Sequence, residues 1–275
     1  MEQKRGKKRW LILLALVLVL AAVSACQVSA PPILRYKDHI VRVHRGIAVN
    51  ILREEHFSKD ARGRLSCQKA GVRAREGVDV SYYQGAVDWQ KVKEDGIDFA
   101  LIRLGFRGYT QGELHLDERF EENYANAAAA GLELGAYFFA QATTPQEAEE
   151  EAEFVLSALN GRPLQYPVVY DWETIDPGKE ARTEGMTGEE ITACAAAFCK
   201  KIEEAGYRPM VYFNTSLGYL GLNLSRLKGY PFWLAQYQDH PEFYYRFDLW
   251  QYTHQGQVNG IPGRVDLNLD LTPFY

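Results

Sequence analysis

From Gly77 onward the chain alternates short apolar runs with amphipathic stretches. The runs at Gly77–Ser81, Phe99–Phe106, Leu132–Gln141, Tyr166–Glu173, Arg208–Asn214, Pro231–Tyr237, Phe247–Thr253 and Arg264–Asp270 read as strands. Helices are expected between them, with legible ends. Thr144-Pro145-Gln146-Glu147 supplies an N-cap, a proline in the first turn and an acid three residues on, and Thr187 with Glu190 forms a capping box. Gly96, Gly131 and Gly206 stand where helices should stop. Helices fall mainly between the first five strands, and the last three strands follow one another with little between them. This order predicts one α/β domain over residues 76–275, an irregular TIM-like barrel of (β/α)5β3 type. An open doubly wound sheet is the alternative. No glycine-rich phosphate loop follows its first strand, which counts against a nucleotide site.

The N-terminus follows another pattern. MEQKRGKKRW carries five basic residues, and Trp10 to Ala25 is an uncharged run of 16 residues, short for a membrane span and right for the apolar part of an export signal. It closes on Val23-Ser24-Ala25-Cys26, which resembles a bacterial lipobox and makes Cys26 the expected lipidation site. An uncleaved anchor and simple cleavage after Ala25 also fit. All three place the remainder outside the cytoplasm, at the extracellular face of a bacterial membrane or released from it. Residues 27–75 then form a juxtamembrane stretch, either a hairpin or small sheet packed on the body or a spacer.

Charge sharpens this division. Residues 1–75 hold 16 basic and 5 acidic side chains, a net of +11, whereas the remaining 15 basic and 31 acidic residues give 76–275 a net of −16. So acidic a body argues against nucleic acid as a partner. Nothing points to an obligate protein partner. Cys194 and Cys199 lie five apart on one expected helix, on different faces and too far apart to bridge. With Cys26 in the lipobox and Cys67 in the stalk, and no zinc-type spacing, the cysteines of the body read as free thiols.

The candidate chemistry lies at strand ends. In Tyr166 to Thr174 (YPVVYDWET) an apolar run ends on Asp171 and Glu173, which a strand's period of two sends to the same face. Two acids held close together cannot both ionise freely, so one is driven toward a neutral, proton-donating state. A capped or salt-bridged pair would look the same. Asp79 on the first strand and Asp266 on the last would flank the same mouth once a barrel closes, and functional groups of such barrels gather at the C-terminal ends of strands. The strands are also rich in aromatic residues, whose faces pack against pyranose rings. Tyr137, Tyr212 and Trp233 are the best candidates for a sugar groove; the rest are expected in the core.

The body resembles glycoside hydrolase family 25, the lysozymes (N-acetylmuramidases) of bacteria, phages and fungi. The resemblance runs through Gly77-Val78-Asp79-Val80-Ser81-Tyr82-Tyr83-Gln84-Gly85, Val87-Asp88-Trp89, Ile102-Arg103, Gly135-Ala136-Tyr137-Phe138-Phe139, Val168 to Glu173, Phe232 to Ala235, Trp250-Gln251-Tyr252 and Val265 to Asn268. Tyr82-Tyr83 and Phe138-Phe139 depart from the commoner pattern, in which histidine is frequent. The resemblance implies cleavage of the β-1,4 bond between N-acetylmuramic acid and N-acetylglucosamine in peptidoglycan glycan strands, with no metal or cofactor. It implies Glu173 as general acid and Asp171 either steering the substrate's acetamide or serving as second carboxylate. Asp79 and Asp266 would raise the proton affinity of Glu173, and Arg103 and Gln251 join the substrate contacts. A non-catalytic glycan-binding barrel and a chitinase-like glycosidase are the alternatives.

Overall fold

The computed structural model describes residues 33–272 apart from Arg42 and Arg45. The expectations for residues 1–26, Cys26 included, lie outside the described residues. Two compact units meet in sequence between Arg45 and Gly46. In the first, β1 (Leu34–Tyr36) and β2 (His39–Val41) pair as an antiparallel hairpin, turned at Lys37 with φ 52°.

The second unit begins at Gly46, ahead of the boundary drawn at residue 76 from sequence. Its first part is a small antiparallel sheet of β3 (Phe57–Lys59), β4 (Leu65–Lys69) and β5 (Val72–Arg73). Leu65 and Cys67 point inward while Ser66 and Gln68 face solvent. Phe57 meets Trp250 edge-on with centroids 5.3 Å apart, and Arg64 donates from Nε to Glu76 at 2.8 Å and from Nη1 to the main-chain oxygen of Asp95 at 2.8 Å. These long-range contacts join the segment to the barrel; strands this short carry too few alternations to reveal them in sequence.

The barrel comprises β6 (Arg75–Val80), β7 (Phe99–Arg107), β9 (Glu133–Ala140), β10 (Val168–Trp172), β11 (Pro209–Asn214), β12 (Phe232–Ala235), β13 (Leu249–Gly256) and β14 (Val265–Asp270), with β8 (Leu114–Leu116) folded back on β7 as a hairpin. Neighbours are parallel from β6 round to β13. The last strand, β14, runs antiparallel to both β13 and β6 and closes the cylinder. Helices α1 (Trp89–Glu94), α2 (Phe120–Ala129), α3 (Pro145–Leu159), α4 (Gly188–Glu204) and the single turn α5 (Leu224–Leu227) follow the first five barrel strands. Thr144 accepts from the Glu147 N–H at 3.2 Å to start α3, and Thr187 with Glu190 closes a reciprocal capping box on α4. Gly96, Gly131 and Gly206 terminate helices at φ 93°, 79° and 86°.

Period-two alternation sorts each strand. Outward side chains such as Tyr170 pack on the helices, here against Phe198 of α4 at 5.2 Å. Inward ones fall into two layers. Phe99, Leu101, Tyr166, Val169, Met210 and Leu249 form an apolar floor, in which the Phe99 and Tyr166 rings stack at 4.2 Å and 11°. A Cβ on Gly77 would stand 2.3 Å from the Phe99 ring and one on Gly135 2.6 Å from Leu101, so both inward positions must be bare. Two residues further along the same faces the layer turns polar.

Candidate active site

That polar layer contains Asp79 after Gly77, Arg103 after Leu101, Tyr137 after Gly135, Asp171 after Val169, Tyr212 after Met210 and Gln251 after Leu249. Each is one inward step beyond the floor, at the C-terminal ends of the parallel strands. Because β14 is antiparallel, its contribution comes from its beginning, where Asp266 pairs in register with Asp79. With Glu173 just beyond β10, these side chains line a cavity of about 770 Å³. Trp233 borders it too, so all nine sequence-derived candidates within the described residues meet in one place.

The four carboxyls occupy different surroundings. Asp79 is buried, and its Oδ2 accepts from Gln251 Nε2 at 2.9 Å and Asn268 Nδ2 at 2.7 Å. Burial, with Asp266 alongside, still holds its proton affinity well above the carboxylate range. Asp171 is likewise raised, first by burial and then by Glu173 and Asp79, against the opposing charge of Arg103. Its Oδ1 is buried with no hydrogen-bond partner among the described residues. Glu173 is raised by burial and by Asp79, and Asp266 is pushed up to about 6 by burial and Glu173. The group thus retains protons at a pH where isolated carboxyls would have lost them.

A polar scaffold fixes these acids. Trp233 donates its indole N–H to Asn268 Oδ1 at 2.8 Å, and Gln251 Oε1 accepts from Tyr212 at 3.2 Å and Tyr237 at 2.9 Å. Arg103 donates from Nε to the buried Asp117 at 2.8 Å, and its guanidinium lies 5.0 Å from the Tyr82 ring centre. Behind Glu173, Gln141 Nε2 donates to the Glu173 main-chain oxygen at 3.0 Å.

The aromatic expectation needs correction. Trp233 and Tyr212 are buried and packed edge-to-face at 4.8 Å, so their faces are not offered to a ligand. Both act as supports, for Asn268 and Gln251. Tyr137, the third candidate, lines the cavity half-buried, as do Phe106 and Phe139, and the most exposed rings there are Tyr82, Tyr83, Tyr109 and Tyr237, all beyond strand ends. Asn268, Gln141 and Asp117 were also missed, although Asn268 lies two residues from Asp266 and so shares its face. Among the described residues no group of three His, Cys, Asp or Glu side chains is arranged to hold a metal ion.

The sequence profile of glycosyl hydrolases family 25 matches residues 78–261. Lysozyme M1 of Streptomyces globisporus is 29% identical over 286 residues, an alignment spanning 96% of this chain and 92% of that protein. The autolytic lysozyme of Clostridium acetobutylicum is 29% identical over 194 residues, which cover 70% of this chain and 55% of that one. The crystal structure of a bacterial lysozyme from Streptomyces coelicolor matches with a TM-score of 0.59 at 28% identity, over 70% of this chain and 90% of its own. A family 25 glycosyl hydrolase from Bacillus anthracis shares the fold with a TM-score of 0.61 at 22% identity, over 74% and 91% of the two chains. A match of this extent, on a closed barrel with its acids at one mouth, settles the class: the chain belongs to family 25 of the glycosyl hydrolases and is a glycoside hydrolase.

Proposed function

We propose that this hydrolase is a muramidase that cuts the β-1,4 bond between N-acetylmuramic acid and N-acetylglucosamine in peptidoglycan, with Glu173 as the general acid. One observation carries the assignment of roles. Burial and the nearby Asp79 raise the proton affinity of Glu173, while Asp171 presents a buried oxygen without a partner to the same cavity. A carboxyl whose proton affinity is raised in this way is suited to deliver its proton to a leaving glycosidic oxygen. The unpartnered Asp171 oxygen suits an acetamide N–H, which would satisfy it and turn the substrate's own carbonyl oxygen toward the anomeric carbon. As that oxygen attacks, the aglycone leaves with the proton of Glu173, and Asp171 stabilises the positive charge of the cyclic oxazolinium ion. Water then opens the ring, returning a proton to Glu173. Asp79, held by Gln251 and Asn268, sustains the proton affinity of Glu173 from a fixed position.

Mass spectrometry of muropeptides released from purified walls tests the reading. Muramic acid at the new reducing ends is expected, and Glu173→Gln should lower release on the order of a hundredfold or more. N-acetylglucosamine at those ends, or cleavage of chitin oligomers alone, would overturn it. The relatives named lysozymes support this substrate class. Export and lipidation at Cys26 complete the proposal, and a fatty-acid probe that labels the wild-type chain but not Cys26→Ala is the expected result; an unlabelled wild-type chain retained in the membrane would point to an uncleaved anchor.

A further inference from the structure

A second cavity, of about 340 Å³, adjoins the active site across a single side chain. Tyr237 borders both. Its hydroxyl is tied to Gln251 at 2.9 Å, its ring meets His254 at 4.6 Å, and 49% of its surface is open, leaving it as a ridge between the two spaces. One wall of the second cavity is the far end of β13, where two bulges interrupt its pairing with β14. The other wall comes from the small sheet that precedes the family-matched residues, through Lys59 and Arg62.

That second wall is pinned in place. Lys59 pairs with Asp239, and Arg62 grips Asp95 with two hydrogen bonds, Nη1 to Oδ1 at 3.0 Å and Nη2 to Oδ2 at 2.7 Å. Both cations are therefore neutralised by carboxylates, which disfavours an anionic ligand. What remains to meet a ligand is the Tyr237 ring, the His254 imidazole and the side-chain amides of Gln238 and Gln255, which have no hydrogen-bond partner among the described residues. An accessible ring with uncharged donors and acceptors around it fits a sugar's apolar face, hydroxyls and acetamide. The volume lies within the range of built ligand sites.

We propose that this cavity is an accessory saccharide subsite, taking a further N-acetylated sugar of the glycan strand whose bond is cut in the main cavity. The small sheet of residues 57–73 is then a working wall of the substrate groove, ahead of the residues that the family profile matches. This rests on the muramidase reading. The test uses the full chain and peptide-free oligomers of alternating N-acetylglucosamine and N-acetylmuramic acid, four and eight sugars long. The wild type should show kcat/KM about tenfold higher on the longer oligomer, the worth of about two net hydrogen bonds. Gln238→Ala with Gln255→Ala should abolish that gain and leave the shorter oligomer's kcat/KM unchanged. The same length preference in both proteins would overturn the subsite, as would a gain that requires stem peptides. Binding of the eight-sugar strand to the Glu173→Gln chain separates the two failures. If the wild type cuts nothing, yet the double substitution weakens this binding about tenfold, the subsite stands and the muramidase reading falls.

Discussion

Gln141 offers a sharp test of how the acid is held. It follows β9, is fully buried, and makes four hydrogen bonds. Its main-chain N–H donates to Glu151 Oε1 at 3.0 Å and its carbonyl accepts from Arg182 at 2.9 Å. Its side chain accepts from the Thr183 hydroxyl at 3.0 Å and donates to the Glu173 main-chain oxygen at 3.0 Å. Gln141→Leu keeps the volume and both main-chain bonds but removes the two side-chain ones. The buried Thr183 hydroxyl then bears a desolvation cost of about 1–3 kcal/mol, while the Glu173 carbonyl borders the cavity and can turn to water. A net loss of about 2 kcal/mol follows, a fall in Tm of roughly 4–8 °C for a domain of this size. The kinetic effect is larger in kind. Glu173 stands past the end of β10, so its backbone loses the bond that fixes it against β9, and a displacement on the order of 1 Å costs up to about a hundredfold in rate. We expect kcat to fall ten- to a hundredfold with KM within about twofold, because substrate contacts are untouched. Kinetics on a defined oligomer well below Tm measure this. A Gln141→Leu chain that loses stability as expected but keeps wild-type kcat would refute the tether.

The remaining predictions concern the carboxyls. Asp171→Asn should lower kcat strongly and KM little, and wild-type enzyme should cut de-N-acetylated glycan very poorly; efficient cleavage of that glycan would remove the acetamide from the mechanism. Asp266 carries a cost in stability. Its folded proton affinity is raised from 3.8 to about 6, so the native state binds more protons and stability falls as pH rises through that window, remaining low above it. Asp266→Asn should therefore stabilise the fold at pH 7, by about 1–3 kcal/mol, with no gain near pH 3.5 and with activity reduced; denaturant titrations showing destabilisation at pH 7 would contradict this.

The parts legible in sequence were those set by local rules. Alternation placed Asp171 and Glu173 on one face, and threonine caps and glycine stops marked α3 and α4. The direction of β14 was not legible, since a period of two is identical for parallel and antiparallel strands. Nor was depth. Periodicity says which face Trp233 and Tyr212 occupy, but not how far inside the barrel they lie, and so it favoured buried rings over the exposed Tyr83 and Tyr237. Gln141 escaped because its side-chain partners lie 32 and 42 residues away, and the segment of residues 46–75 because Arg62 and Arg64 find their acids only after the barrel has closed.

The stacked Phe99 and Tyr166 rings, seated in the space that Gly77 and Gly135 leave open, make the barrel a blind vessel. A polymer cannot be threaded through it from end to end. Any chain this enzyme holds must lie across the opening like a rope over a well, entering and leaving sideways. Such a geometry does not require a free terminus, since a strand can enter and leave by the one mouth.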